Sequence, residues 1–239
     1  MRSIVSASVA AATLCAVFLA APSVRADVVD TSAGVKLMAG GSLWTTPSDR
    51  PGNYDAVGFA GNGGGFSWGG GVYFEARFIK LLGLELDIIR DMSVIQRDVT
   101  YNQTIKVREK IDITSWRIPV LAKANVPTPF GRLFFLLGPE FVRVSSAEPS
   151  LEVVEGNGTV TGDPLHAEKN NYTMLTGGLG LTIDLAALEI PVELRASKNL
   201  GQEEAWLDRV EVDQANGRFV VDAQTSWDFR VSAGLGYRF

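Results

Sequence analysis

From residue 27 onward, apolar and polar residues alternate with a period of two in segment after segment. In the stretch Phe66-Ser67-Trp68-Gly69-Gly70-Gly71-Val72-Tyr73-Phe74-Glu75-Ala76-Arg77-Phe78 the even positions are large and apolar or small, and the odd ones carry Ser, Gly, Tyr, Glu and Arg. The last thirteen residues, Trp227 to Phe239, repeat the pattern to the end. Successive side chains of a strand point to opposite faces, so such segments read as strands with one apolar and one polar face. The alternation predicts eight strands, at 33–44, 65–78, 84–91, 111–124, 132–144, 171–183, 190–197 and 225–239. The longest apolar runs after residue 26, near 118–122 and 133–137, have strand length and fall far short of a membrane-spanning helix.

The connections sharpen this reading. Three are short, around Lys80–Gly83, Val126–Gly131 and Asp184–Glu189. Four are long and polar, at Thr45–Gly64, Met92–Lys110, Ser145–Asn170 and Lys198–Gln224, and long and short alternate strictly. Four long loops count against a compact soluble domain. They are the rule in an outer-membrane barrel, whose periplasmic turns are short and whose extracellular loops are long. In the second long loop Val99, Tyr101, Ile105 and Val107 alternate, so that hairpin is expected to continue past the membrane. Trp44 ends an outgoing strand, and Trp68, Trp116 and Trp227 open returning ones, which puts all four at the same end. Phe78, Phe130, Tyr237 and Phe239 mark the other. Two aromatic girdles around an apolar band are what a lipid-facing barrel surface carries. The expected fold is therefore all-β: a closed eight-stranded antiparallel up-and-down transmembrane β-barrel, both termini periplasmic.

The first 26 residues read differently. Met1 and Arg2 start positive, Ile4 to Ala21 is uncharged and mostly apolar, and Pro22 breaks the run. Val24 and Ala26 then occupy the −3 and −1 positions before Asp27, the layout of a secretory signal peptide cut between Ala26 and Asp27. A lipoprotein signal does not fit, because Leu14 rather than a small residue precedes Cys15. The expected organisation is a signal peptide, 1–26, and an outer-membrane barrel domain, 27–239. Cleavage would remove the only cysteine.

Eight strands enclose an interior just wide enough for side chains to fill. The alternation turns Lys36, Arg77, Arg117, Lys123, Arg195 and Arg230 inward, along with Glu75, Glu85, Asp87, Glu140, Glu193 and Asp228. Cations and carboxylates balance in this set. Isolated charges in a narrow low-dielectric lumen are costly, so they are expected to pair into a network. A selective channel would instead favour a ring of one sign.

Composition closes off other classes. Net charge is −5, from 22 Lys and Arg against 27 Asp and Glu, and no basic stripe for nucleic acid appears. With 46% hydrophobic residues the chain is not disordered. One His and one Cys leave little material for zinc, iron–sulfur or disulfide chemistry, and no cofactor is expected. The single His166 has Asp163, Glu168, Ser145 and Ser146 near it in sequence, but a loop His among loop carboxylates is usually a solvated polar residue. The acidic loop residues Glu148, Glu152, Glu155, Glu203, Glu204, Asp208, Glu211 and Asp213 match no calcium-loop spacing.

Ser232-x-Gly234-x-x-Tyr237-x-Phe239 resembles the C-terminal signal read by the outer-membrane barrel assembly machinery. Trp116-Arg117-Ile118-Pro119-Val120-Leu121, followed by Leu137-Gly138-Pro139-Glu140, resembles strands of the small bacterial outer-membrane β-barrel domain family, with its OmpA-like and PorT-like members. The resemblance implies a monomeric, non-enzymatic, integral protein of the cell outer membrane. Its surroundings would be outer-membrane lipid and lipopolysaccharide, and its role structural or surface-interacting, carried by four extracellular loops. A narrow porin-like channel or a conduit for small or hydrophobic solutes is the alternative, and a lipid-modifying enzyme ranks below both.

Overall fold

The computed structural model describes residues 29–45, 63–78, 81–101, 105–155, 171–200, 210–214, 217–221 and 224–239. They form ten strands: β1 (Val29–Thr45), β2 (Gly63–Phe78), β3 (Leu82–Tyr101), β4 (Ile105–Thr128), β5 (Gly131–Glu155), β6 (Tyr172–Leu185), β7 (Leu188–Asn199), β8 (Val210–Gln214), β9 (Gly217–Val221) and β10 (Gln224–Arg238). No helix occurs among the described residues.

Eight of these strands close into an antiparallel barrel, in the order β1-β10-β7-β6-β5-β4-β3-β2. The first and last strands zip the cylinder shut, from Ser32↔Arg238 to Thr45↔Gln224, with a register shift between Leu43 and Trp44. Closure gives every strand two neighbours, which is what lets backbone amides exist in hydrocarbon. Two of the hairpin turns are of two residues, Pro129-Phe130 and Ala186-Ala187. Ala186 takes the left-handed conformation, with φ 57°, which the primed hairpin turns demand and a Cβ disfavours.

The strands outrun the sequence pattern. β3 continues to Tyr101 and β4 begins at Ile105, so most of the connection at 92–110 is ladder, paired as far as Tyr101↔Ile105, the continuation that the alternation of Val99, Tyr101, Ile105 and Val107 leads one to expect. β5 runs on to Glu155, where Ser145–Asn170 was expected to be a loop. Within the expected loop at 198–224, β7 extends to Asn199 and β8 and β9 form a separate hairpin. The reason is common to the last two. Once a hairpin clears the apolar slab, both faces meet polar surroundings, and alternation fades while backbone pairing does not. The last rung between β5 and β6 is Val142↔Tyr172, whereas β4 and β5 stay paired to Lys106↔Glu155. A tongue of β3, β4 and β5 thus extends past the barrel wall.

The outer face is greasy. Thirty-four large hydrophobic side chains are exposed among the described residues, including Leu37, Phe66, Phe135, Leu137, Leu194 and Phe229, and no second sheet covers them. A water-soluble monomer rarely exposes apolar patches beyond a few hundred Å². From Val126 to Trp116 on β4, or Tyr237 to Trp227 on β10, the band spans ten residues. At ~3.3 Å per residue and a tilt near 40°, that is about 25 Å, the height of an outer-membrane apolar belt.

Candidate functional site

The polar face of each strand fills the lumen, and there the charges gather in three tiers. All twelve charged residues that the alternation turns inward are buried: Lys36, Glu75, Arg77, Glu85, Asp87, Arg117, Lys123, Glu140, Glu193, Arg195, Asp228 and Arg230. Asp91, Arg132 and Glu189 join them, giving seven buried cations and eight buried carboxylates among the described residues. Asp91 continues the inward positions Glu85 and Asp87 of β3. Arg132 and Glu189 lie at the starts of β5 and β7; Arg132 opens the strand expected at 132–144, and Glu189 closes the turn expected at 184–189.

The middle tier is built on three cations. Lys36 Nζ lies 2.7 Å from Glu85, 3.3 Å from Asp87 and 3.2 Å from Glu193. Lys123 Nζ lies 2.6 Å from Glu85 and 3.1 Å from Glu75. Arg195 reaches Glu85 at 2.7 Å and Asp87 at 2.8 Å, and also donates to Glu193. Ser232, from the C-terminal strand, donates to Glu193 at 3.1 Å. Aromatic rings take the remaining faces of the ammonium groups. Lys123 Nζ stands 3.9 Å from the Phe134 ring centre, and Lys36 Nζ 4.9 Å from that of Tyr73. Glycines make room for these rings: a Cβ on Gly236 would fall on the Tyr73 hydroxyl, and one on Gly180 on the Phe134 ring.

Toward the long connections (the loop end) lies a knot around Arg117. Its guanidinium donates to Asp91 at 3.3 Å, to Glu140 and to Asp228. Arg230 donates to Asp91 and to Asp228, the latter at 3.3 Å. Hydroxyls take up further acceptor capacity: Ser93 donates to Asp91 at 2.9 Å and Thr176 to Glu140 at 2.6 Å. Toward the chain termini and short turns (the turn end), Arg77 and Arg132 share Glu189. Arg77 Nη1 donates to it at 3.1 Å. Arg77 Nη2, at 2.9 Å, and Arg132 Nη2, at 3.0 Å, are within ion-pair reach of Glu189 Oε1 but are not aligned for hydrogen bonds.

Together the tiers fill the bore with paired, buried side chains from seven strands: β1, β2, β3, β4, β5, β7 and β10. Single-sign charge at a constriction is what selects ions in an open pore, and these tiers mix both signs. Leu121, Phe134 and Leu136 pack into an apolar cluster in the same bore. Among the described residues no group of three His, Cys, Asp or Glu side chains could hold a metal ion.

The other sequence-designated residues sort by face. Ser232 and Gly234 line the lumen side of β10, while Tyr237 and Phe239 are exposed on the outer wall with ring centres 5.5 Å apart. Trp68, Trp116 and Trp227 are exposed at the loop end and Phe78 at the turn end. Ser145 and Ser146 lie on the part of β5 beyond the wall. The side chain of Trp44, the cleavage site at Ala26 and Asp27, and His166 with Asp163 and Glu168 lie outside the described residues.

No protein-family model and no curated protein matches the chain. Among solved structures it is similar to the outer membrane protein OprG from Pseudomonas aeruginosa, with a TM-score of 0.50 and 13% identity over 89% of this chain and 96% of that one. Looser likenesses are to Ail, the attachment invasion locus protein of Yersinia pestis (TM-score 0.38, 15% identity, 88% and 99% covered), and to Neisserial surface protein A (0.41, 11%, 87% and 97%). At such identities it is the fold that is shared: the chain folds as a small outer-membrane β-barrel.

Proposed function

We propose that this barrel is a non-enzymatic integral protein of the outer membrane, whose lumen is locked and whose work is done at its extracellular face. The observation that carries this reading is the three-tier lumen: Arg117, Lys36, Lys123 and Arg195 are each held by two or more buried carboxylates, leaving no bore lined by one sign of charge. A rigid closed wall then serves as a platform for the β3–β5 tongue and the long connections, which is how binding residues are commonly displayed. In this reading the loop end faces outward, both termini are periplasmic, and the protein is a monomer. Tyr237 and Phe239, exposed together on the last strand, suit recognition by the assembly machinery.

Reconstitution of the purified chain into planar bilayers tests the lock. The expected record has no steady conductance steps, and sustained nanosiemens conductance would overturn it in favour of a channel. Lipid profiles test the non-enzymatic assignment: lipid A and phospholipids should be the same in cells carrying the protein and cells carrying His166→Ala.

A further inference from the structure

Three strands bring together a feature of the outer wall that neither the lumen nor the loops explain. The register pairs Arg90 of β3 with Trp116 of β4, and Trp116 with Arg143 of β5. All three side chains are exposed on the outer face. Neighbouring strands lie ~4.8 Å apart, so two guanidinium-bearing positions about 10 Å apart flank one indole. The Arg90 guanidinium stands 5.7 Å from the centre of the Trp116 ring.

The row sits at a defined depth. Trp116 is ten residues along β4 from Val126, and Arg143 ten along β5 from Leu133, so the row marks the loop-end edge of the apolar band. Two cations at that depth face headgroups on one side and hydrocarbon on the other, and a charge there demands an opposite charge. Among the described residues the adjoining wall does not provide one. The outward neighbours along the same strands are Ile88 and Met92, Thr114 and Ile118, and Phe141 and Ser145. The nearest carboxylates on that face, Asp112 and Glu148, stand opposite each other farther along the tongue, and Asp112 already accepts from Lys110 at 2.7 Å. The opposite rim is built differently. Its exposed outward residues include Phe78, Leu82, Val126, Leu133, Leu188 and Tyr237, and Arg238, on the lumen-side parity of β10, donates to the carbonyl of Ala186 at 2.7 Å.

We infer that Arg90, Trp116 and Arg143 form a binding site for the phosphate of an anionic glycolipid in the outer leaflet. The two guanidiniums clamp the phosphate by charge-assisted hydrogen bonds, and the indole sets the sugar–acyl boundary against which the lipid lies. The inference rests on the membrane-embedded reading above, with the loop end at the outer leaflet.

The test uses the full-length protein refolded into phosphatidylcholine vesicles. These contain a minor fraction of lipid A carrying both phosphates, or the same lipid A with its phosphates removed. Lipid retained on the barrel after gentle detergent extraction is read by native mass spectrometry. Wild type should retain the phosphorylated lipid about tenfold over the dephosphorylated one, and Arg90→Gln/Arg143→Gln should abolish that preference. The gel-mobility shift of the unheated barrel reports that each variant has folded, and the wild-type comparison of the two lipids needs no variant at all. Equal retention of both lipids by folded wild type would overturn the site. Failure of wild type to insert into any vesicle would instead overturn the membrane reading beneath it.

Discussion

At the loop end of the lumen, Arg117 meets three carboxylates and Arg230 two of the same three, and hydroxyls of Ser93 and Thr176 cap the oxygens that remain. At the turn end, Arg77 and Arg132 crowd onto Glu189. There Ser32 Oγ, Asn125 Nδ2 and both arginine Nε atoms find no hydrogen-bond partner among the described residues, and Tyr73 OH and Glu75 Oε1 in the tier above find none either; at the loop end the same holds for Ser67 Oγ and Arg230 Nε. An unpartnered buried polar atom costs about 1–3 kcal/mol unless water reaches it. Asp184, whose side chain is 25% exposed, stands 3.3 Å from Arg132 at the mouth of that end. The two ends therefore use one chemistry differently: two arginines share three carboxylates at the loop end, whereas two arginines share mainly one carboxylate, Glu189, at the turn end.

Substitution should separate the ends. Arg117→Met would strand Asp91, Glu140 and Asp228 with only Arg230 between them, and the loss expected from breaking such a buried group is about 3–5 kcal/mol in urea unfolding of the vesicle-embedded barrel. Arg77→Met leaves Glu189 still within ion-pair reach of Arg132, so its loss should be smaller. Equal losses would erase the distinction between the two ends. Bilayer recordings give a second readout. Arg117→Ala and Arg77→Ala should each leave the leak near baseline, because the middle tier of Lys36, Lys123 and Arg195 still closes the path.

Hydroxyls offer a finer comparison. Thr176→Val removes the 2.6 Å bond to Glu140, and the bond of a neutral donor to a charged acceptor is worth about 1.5–3 kcal/mol. Ser32→Ala removes an oxygen that bonds to no protein group among the described residues, so its effect should stay within about 0.5 kcal/mol. If Ser32→Ala proved as costly as Thr176→Val, the turn end would hold a network as tight as the loop end. An effect of opposite sign lies in the turn itself. Ala186→Gly relieves a left-handed alanine and should stabilise the barrel by about 0.5–1 kcal/mol, read as a rise in the unfolding midpoint.

How much of this was legible beforehand depended on parity and on strand length. Alternation from Phe66 to Phe78 is enough to send Glu75 and Arg77 to the face opposite Phe74 and Phe78, since a strand cannot slip by one residue without inverting every side chain. Asp91 escaped because β3 was ended there, although it lies four residues from Asp87 on the same face. Glu189 escaped because it falls in the turn expected at 184–189, whereas Arg132 opens the strand expected at 132–144 with the parity of Glu140, so its signal was present but sat at a hairpin mouth, where hydrophilic residues are usually solvated. The β3–β4 part of the tongue was legible in the alternation of Val99, Tyr101, Ile105 and Val107, and the run of β5 to Glu155 escaped because ladder hydrogen bonds need no apolar face.

By itself the sequence determined the faces: which residues of each strand meet lipid, which meet the axis, and that cations and carboxylates are present there in near balance. Pairing was decided only in three dimensions. Lys36 and Glu193 are separated by 157 positions and meet because the barrel closes with one particular stagger between β1, β10 and β7. Arg90, Trp116 and Arg143 share a row for the same kind of reason. Alternation is a property of single strands, set by backbone geometry every two residues. Stagger is a property of the closed cylinder, set by all eight ladders at once, and no local stretch of chain encodes it.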